Sequence, residues 1–346
     1  MKQEKILIAV LRFHGDVLLT KPMIDCIKLK FPNSLIDLLV YKGTASLLES
    51  DPDINTIIEI EASESLTFFS KLQNEIYLLR SLLKIKYTYG FFLTTQWRLA
   101  LVGIILFRTK TAAVADKSRE GFFWKKSFSE IFPEAGNQHI VERNMNALKA
   151  LNINSPKSPN LRLRIPKSIE EKIDLLLLDN NISGRYSVIH PISRRKSKLW
   201  SKQRFNELIR LLENKGFDVI LTSGPESEEI NYIDDILKFS STKALNLGGK
   251  TSLIELAALI NKSDLFVGLD SVASHIAASV STNCVTLFGP SNHTNWRPWF
   301  GNSEIITRQE PEGYCHIHNP LGGKFTKCLC YITPERVIQS IEKLLD

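Results

Sequence analysis

Lys5-Ile6-Leu7-Ile8-Ala9-Val10-Leu11-Arg12-Phe13-His14-Gly15-Asp16-Val17-Leu18-Leu19-Thr20-Lys21-Pro22 is the stretch that decides the class of this chain. An unbroken aliphatic run of strand length is what a strand covered on both faces requires. It passes straight into a turn, with Gly15 expected in the tight strand-to-helix connection and Asp16 at its end. A helix is expected near 20–30. The same alternation continues, with strands at Ile6–Val10, Leu35–Val40, Ile57–Ile60 and Phe91–Leu93 and helices near 20–30, 66–86 and 98–107. Strands alternating with helix-length segments imply a parallel sheet with helices on both sides.

Residues 152–167 break this pattern with Asn-Ile-Asn-Ser-Pro-Lys-Ser-Pro-Asn and then Ile165-Pro166, a composition suited to a linker. The alternation then restarts, with strands at Tyr186–Ile189, Val219–Thr222, Leu265–Leu269 and Val285–Phe288 and helices near 201–215, 226–239 and 251–261. The expected architecture is α/β: two Rossmann-like, doubly wound parallel-sheet domains, 1–160 and 161–346, facing a cleft. Ligands of such sheets bind beyond the C-terminal ends of the strands. Thr333-Pro334-Glu335 carries a capping residue, a proline and an acid in the order that opens a helix. That last helix, 333–346, is a candidate to pack back on the first domain.

With 346 residues, 43% hydrophobic and 23% charged, the chain has the composition of a globular protein of two domains. The longest apolar stretch, Leu99 to Phe107, falls far short of the ~20 residues of a membrane-spanning helix. No secretory cleavage pattern precedes the first strand. Five cysteines, an odd number, do not form a disulfide framework and fit a reducing compartment. The expectation is a cytoplasmic protein. A formal charge of +7 calls for an acidic partner: nucleic acid, an anionic membrane surface or a phosphorylated substrate. No nucleic-acid module is recognisable, so nucleic acid is not expected.

No Gly-x-Gly-x-x-Gly follows the first strand, and there is no glycine-lysine phosphate loop of the Walker type. Asp16, at the crevice end of the first strand, has the chemistry of a general base; capping a helix is the commoner use of such a residue. After the strand Leu265–Leu269 comes Asp270-Ser271-Val272-Ala273-Ser274-His275. The amides opening the next helix suit a phosphate, with His275 one turn on, while a cap and a packed histidine would account equally for the spacing. Asp and Ser in direct succession, without a Gly-x-Ser-x-Gly elbow, do not make a hydrolase triad.

The basic loop His190-Pro191-Ile192-Ser193-Arg194-Arg195-Lys196-Ser197-Lys198-Leu199-Trp200 combines hydroxyl, amide and lysine groups suited to a diphosphate, or is simply solvated. Glu228, after the strand Val219–Thr222, has the chemistry to accept from ribose hydroxyls or to favour a helix N-terminus. Between Arg108 and Lys126, six basic residues face two acidic ones around Phe122, Phe123 and Trp124. That segment reads either as a lipid-headgroup surface or as core. Cys315, His316, His318, Cys328 and Cys330 do not have the spacing of a standard zinc site, and no metal is expected.

Taken in order, several of these stretches resemble glycosyltransferase family 9, the lipopolysaccharide heptosyltransferases, over nearly the whole chain. They are Arg12 to Thr20, Gln96-Trp97, Trp124 to Phe128, His139 to Asn144, Asp270-Ser271 through His275 to Ala278, and Trp296 to Trp299. The resemblance implies a GT-B fold with the acceptor on the first domain and ADP-heptose on the second. It implies Asp16 as catalytic base, Ser193 and Lys198 on the diphosphate, and Glu228 on the ribose. Asp270, Ser271, Val272 and His275 would hold the nucleotide and heptose, and Arg12, His14, Lys125, Lys126 and Arg143 the acceptor. It further implies an inverting, metal-independent transfer without cofactor to the lipopolysaccharide inner core, at heptose II, by a peripheral protein of the inner membrane's cytoplasmic face. Another acceptor, or a binding protein without turnover, are the alternatives. Two positions depart from the family: Ile192 stands where a member has a hydroxyl residue, and Val272 where glycine is common.

Overall fold

The computed structural model describes residues 3–62, 68–119, 121–134, 136–154, 159–299, 301–307 and 328–346. It divides into two compact units, Met1–Asn160 and Leu161–Asp346.

The first unit contains strands β1 (Lys5–Val10), β2 (Leu35–Tyr41), β3 (Thr56–Ile60), β4 (Tyr89–Phe92), β5 (Lys110–Ala115) and β6 (Glu130–Pro133). Its helices are α1 (His14–Leu18), α2 (Lys21–Lys30), α3 (Phe68–Ile85), α4 (Trp97–Ile105), α5 (Phe122–Lys126) and α6 (Ile140–Ala150). All strand pairs are parallel, in the order β3-β2-β1-β4-β5-β6. The second unit opens with α7 (Lys167–Asp179) and β7 (Tyr186–His190), then α8 (Lys202–Asn214), β8 (Asp218–Ser223), α9 (Ser227–Leu237) and β9 (Leu245–Gly248). It continues with α10 (Leu253–Asn261), β10 (Leu265–Leu269), α11 (Val272–Ser279), β11 (Cys284–Leu287), α12 (His293–Trp296), β12 (Ser303–Ile306) and α13 (Pro334–Leu345). Its sheet runs β12-β11-β10-β7-β8-β9, again all parallel. Counted from its own first strand, each sheet has the doubly wound order 3-2-1-4-5-6, which reverses direction between β1 and β4 and between β7 and β10.

Burial explains the aliphatic strands. Every residue of β7 and β10 is buried, and β1 is buried from Ile6 to Val10, because helices cover both faces. Leu7, Ala9, Leu39, Phe92, Leu99, Trp124 and Phe128 share one core cluster in the first unit. In the second, Trp200, Phe205, Leu208, Val267, Leu269 and Leu329 belong to another.

One local expectation changes. Gly15 does not form the strand-to-helix turn; it lies inside α1, where Leu19 N–H bonds to its carbonyl at 3.0 Å and Val17 N–H to that of Phe13 at 3.1 Å. A helical turn closes this connection, so a left-handed glycine is not required there. The last helix is opened by Thr333, whose hydroxyl accepts from Arg336 N–H, with Pro334 in the first turn. Its apolar face, Val337, Ile338 and Ile341, completes the core of the second unit. That face packs against α8 and β12 of the same unit.

Lys21, the first residue of α2, is 1% exposed, and its ammonium lies 2.7 Å from both Asp25 and Asp51 and 3.0 Å from Asp53. It ties α2 to the loop between β2 and β3 and fixes the chain just after α1.

Candidate functional site

Although Glu228 follows β8 and Lys125 and Lys126 follow β5, most of the predicted residues lie where the strand order reverses, the place where a doubly wound sheet leaves two adjacent loops diverging from one another. In the second unit these are the loops after β7 and β10. Ser193 Oγ donates to the backbone carbonyl of Asp270 at 3.1 Å, and Lys198 Nζ donates to the Asp270 carboxylate at 2.5 Å. Asp270 therefore holds both halves of the basic loop, one with its main chain and one with its side chain.

The helix that follows is unusual at its start. Ser271 occupies the N-cap of α11, yet its hydroxyl makes no capping hydrogen bond. Ser271 Oγ is buried without a partner, as is Nδ1 of His275. A serine at this position ordinarily satisfies an N–H of the first turn; here neither the hydroxyl nor that ring nitrogen is taken by the protein. Burial holds His275 neutral, with its pKa pulled down to about 4, while Asp270 and Lys198 act on it in opposite directions. Val272, the first residue of α11, is half-buried. Ile192, the residue that departs from the family, is buried as an apolar side chain.

Glu228 stands in the first turn of α9 and is well exposed. Its carboxylate takes Lys196 at 3.0 Å, so the short turn Lys196–Lys198 joins the start of α9 through Lys196 and the β10–α11 loop through Lys198. The neighbouring Glu229, not Glu228, folds back on the chain to accept from Gly224 N–H at 2.8 Å.

In the first unit the corresponding loops follow β1 and β4. Asp16 sits in the first turn of α1, whose N-cap is Phe13. It is therefore not the cap that its sequence context would favour. Burial raises its pKa; Arg12, Arg143 and backbone hydrogen bonds at Phe13 and Asp16 itself hold that rise in check. The result is a carboxylate more basic than one in water, with two guanidinium groups in its field. Arg143, on α6, donates to the carbonyl of Leu93 at the end of β4 and to Asn144 Oδ1, both at 3.1 Å. Burial lowers its pKa to about 10. His14 is held toward its neutral form by burial, with Ser46 Oγ 3.5 Å from its Nδ1. Arg12 is exposed. Lys125 and Lys126 are exposed on α5.

Two supporting residues escaped the sequence reading. Gln96 Nε2 donates to the carbonyl of Leu11 at 2.8 Å, and Leu11 N–H bonds to Thr94 Oγ1 at 3.2 Å, so the β4 loop braces the one that carries Arg12 and Asp16. Buried Asn144 accepts from Arg143 and donates to the carbonyl of Leu19 at the junction of α1 and α2. Both lie within stretches that carry the family resemblance, but their roles depend on β1 and β4 being neighbours, which no local spacing announces. Cys315, His316, His318 and the Cys328 side chain lie outside the described residues. Cys330 is exposed, and among the described residues no three His, Cys, Asp or Glu side chains are grouped to hold a metal.

The sequence model of glycosyltransferase family 9 (heptosyltransferase) matches residues 76–321. The chain is 34% identical over 349 aligned positions to lipopolysaccharide heptosyltransferase 3 of Escherichia coli K12, covering 97% of this chain and 96% of that protein. Among solved structures, a family 9 glycosyltransferase from Veillonella parvula superimposes with a TM-score of 0.84 at 19% identity, covering 99% of this chain and 97% of the other. The ADP-heptose lipopolysaccharide heptosyltransferase II of Escherichia coli superimposes with a TM-score of 0.77 at 21% identity, covering 99% and 98%. These last two share the two-unit GT-B fold. With the family model spanning most of the chain and a full-length relative at this identity, the protein belongs to glycosyltransferase family 9, the heptosyltransferases.

Proposed function

We propose that this glycosyltransferase transfers heptose from ADP-heptose to the heptose region of the lipopolysaccharide inner core, at heptose II, with inversion and with Asp16 as general base. The observation that carries the donor side is the uncapped start of α11. Ser271 Oγ and His275 Nδ1 have no protein partner, and Lys198 is held beside them by Asp270. Such a set suits a diphosphate sugar: amides and helix dipole for anionic oxygens, a lysine as point charge, neutral polar atoms for hydroxyls. In this reading Ser193 and Lys198 take the diphosphate and Glu228 the ribose. Asp270, Ser271, Val272 and His275 line the nucleotide and heptose.

On the acceptor side, Arg12, His14 and Arg143, with Lys125 and Lys126 further out, meet the anionic groups of the core saccharide. Asp16 accepts the proton of the acceptor hydroxyl as its oxygen bonds to the anomeric carbon. The bond from that carbon to the phosphate oxygen breaks, and ADP leaves with the electron pair. Its charge is met by preorganised donors, Lys198, Ser193 and the α11 amides, so the proposed reaction calls for neither metal ion nor cofactor. The raised basicity of Asp16 supports its role, since a base works best with a pKa nearer the operating pH. The protein would act at the cytoplasmic face of the inner membrane, bound there peripherally. Incubating truncated inner-core lipopolysaccharide with ADP-heptose and weighing the product by mass spectrometry tests the proposal. A gain of one heptose is expected with the native protein and not with Asp16→Asn; no gain with either, while ADP-heptose still binds, would overturn the acceptor assignment.

A further inference from the structure

The segment from Arg108 to Lys126 left its three aromatics undecided between core and surface, and the structure divides them. Trp124 is fully buried and donates from Nε1 to the Val114 carbonyl, whereas Phe122 is 77% exposed and Phe123 is 46% exposed. They are not isolated. On α4, Trp97, Leu101 and Ile104 recur at the spacing of one helical face, and Phe107 follows; all four are exposed, Phe107 at 76%. The two helices are joined into one surface: the Trp97 and Phe123 rings are 5.5 Å apart, and Gly103 is where α4 meets the chain after α5, since a Cβ there would fall 2.4 Å from the Ser127 carbonyl.

Three of these aromatics each carry a cation. Arg119 lies 4.5 Å over Trp97, Arg108 5.3 Å over Phe107, and Lys126 5.7 Å over Phe122. Asp116, within the same segment, is turned to the hydroxyls of Ser118 and Thr95. An apolar face whose aromatics are paired with arginine or lysine matches the boundary of a bilayer, where rings sit at headgroup depth and cations meet phosphates. Among the described residues no helix is long and apolar enough to cross a membrane.

The geometry points to the α4–α5 face as a docking surface for anionic phospholipid bilayers, entered by Trp97, Leu101, Ile104, Phe107 and Phe122 and held by Arg108 and Lys126. The face is coupled to the candidate acceptor site: Arg119 Nε donates to the Thr95 carbonyl at 2.7 Å, and the adjoining Gln96 braces the loop of Arg12. Docking thus holds that loop near the headgroups, where a lipid-anchored saccharide begins. This purpose rests on the proposed acceptor; the lipid binding does not.

The test is co-sedimentation of the whole protein with phosphatidylglycerol-containing vesicles and with pure phosphatidylcholine vesicles, comparing the native chain with Leu101→Ser/Ile104→Ser/Phe107→Ser. Binding is expected to favour the anionic vesicles and to weaken about tenfold or more in the triple variant. ADP titration, the melting temperature and transfer to a lipid-free core oligosaccharide should stay as in the native protein. On otherwise native protein, brominated lipid should quench tryptophan emission, and Trp97→Phe should remove that quenching. Equal pelleting of the variant, no vesicle binding by the native protein, quenching that persists without Trp97, or a dimer in lipid-free solution that the triple variant disperses would each overturn the assignment. Patch-dependent vesicle binding together with absent transfer would instead count against the proposed reaction alone.

Discussion

Lys198 Nζ lies 2.5 Å from Asp270 Oδ2, with side chains only 15% and 8% exposed, while the Asp270 main chain takes Ser193. One aspartate thereby fastens the basic loop after β7 to the start of α11. The lysine's position is fixed before any ligand arrives, which lowers the ordering cost of binding an anion.

Lys198→Met should therefore weaken ADP binding by ~10–150-fold, the worth of one hydrogen bond to a charged group. It should also lower the melting temperature, because Asp270 is left buried without its cation. Calorimetric titration with ADP checks this; native affinity in a folded variant would remove Lys198 from the donor site.

Asp16→Asn should lower kcat by ~10²–10⁴ with donor affinity kept, as expected for loss of a general base. The pH profile carries a further sign. Burial raises the Asp16 pKa and the positive charge of Arg143 opposes that rise, so activity should fall on the acid side as Asp16 takes up a proton. Arg143→Met should move this acid limb of kcat/KM to higher pH; a limb that stays put would separate the observed titration from Asp16.

Asn144→Ala removes the link from Arg143 to the Leu19 carbonyl. Leaving the buried Leu19 carbonyl without its donor costs about 1–3 kcal/mol, or several degrees in melting temperature. If the link positions α1, kcat should fall while the KM for ADP-heptose stays near native. A melting change with unaltered kcat would reduce Asn144 to a structural role.

His190 and His275 are both buried, with pKa values pulled down from 6.5 to about 4 chiefly by burial. Unfolding lets each take up a proton more readily, so the stability they provide is intact above pH 6.5 and is lost as the pH falls toward about 4. Melting curves across that interval should show the decline, and His275→Gln should make it shallower. An unchanged slope in the variant would mean that other groups govern it.

The amino-acid sequence by itself determined the class of fold. Aliphatic runs such as Ile6–Val10 and Leu265–Leu269 are apolar at every position because helices cover both faces of a parallel sheet. It also placed Asp16 and Asp270–His275 just beyond strand ends, where such sheets bind ligands. It did not reveal β5, whose Lys-Thr-Ala-Ala-Val-Ala carries little intrinsic strand preference, nor the four-residue strands β6, β9 and β12; these exist because a neighbour supplies their hydrogen bonds.

Only the tertiary structure decided what the site residues do for one another. Spacing could not distinguish a capping Ser271 from an unsatisfied one, or show that Lys198, seventy-two residues from Asp270, would be held by it. Nor could it separate buried Trp124 from exposed Phe122, two residues away on one short helix. Periodicity reports which face a side chain occupies, but which atoms meet there depends on neighbours brought in by strand order.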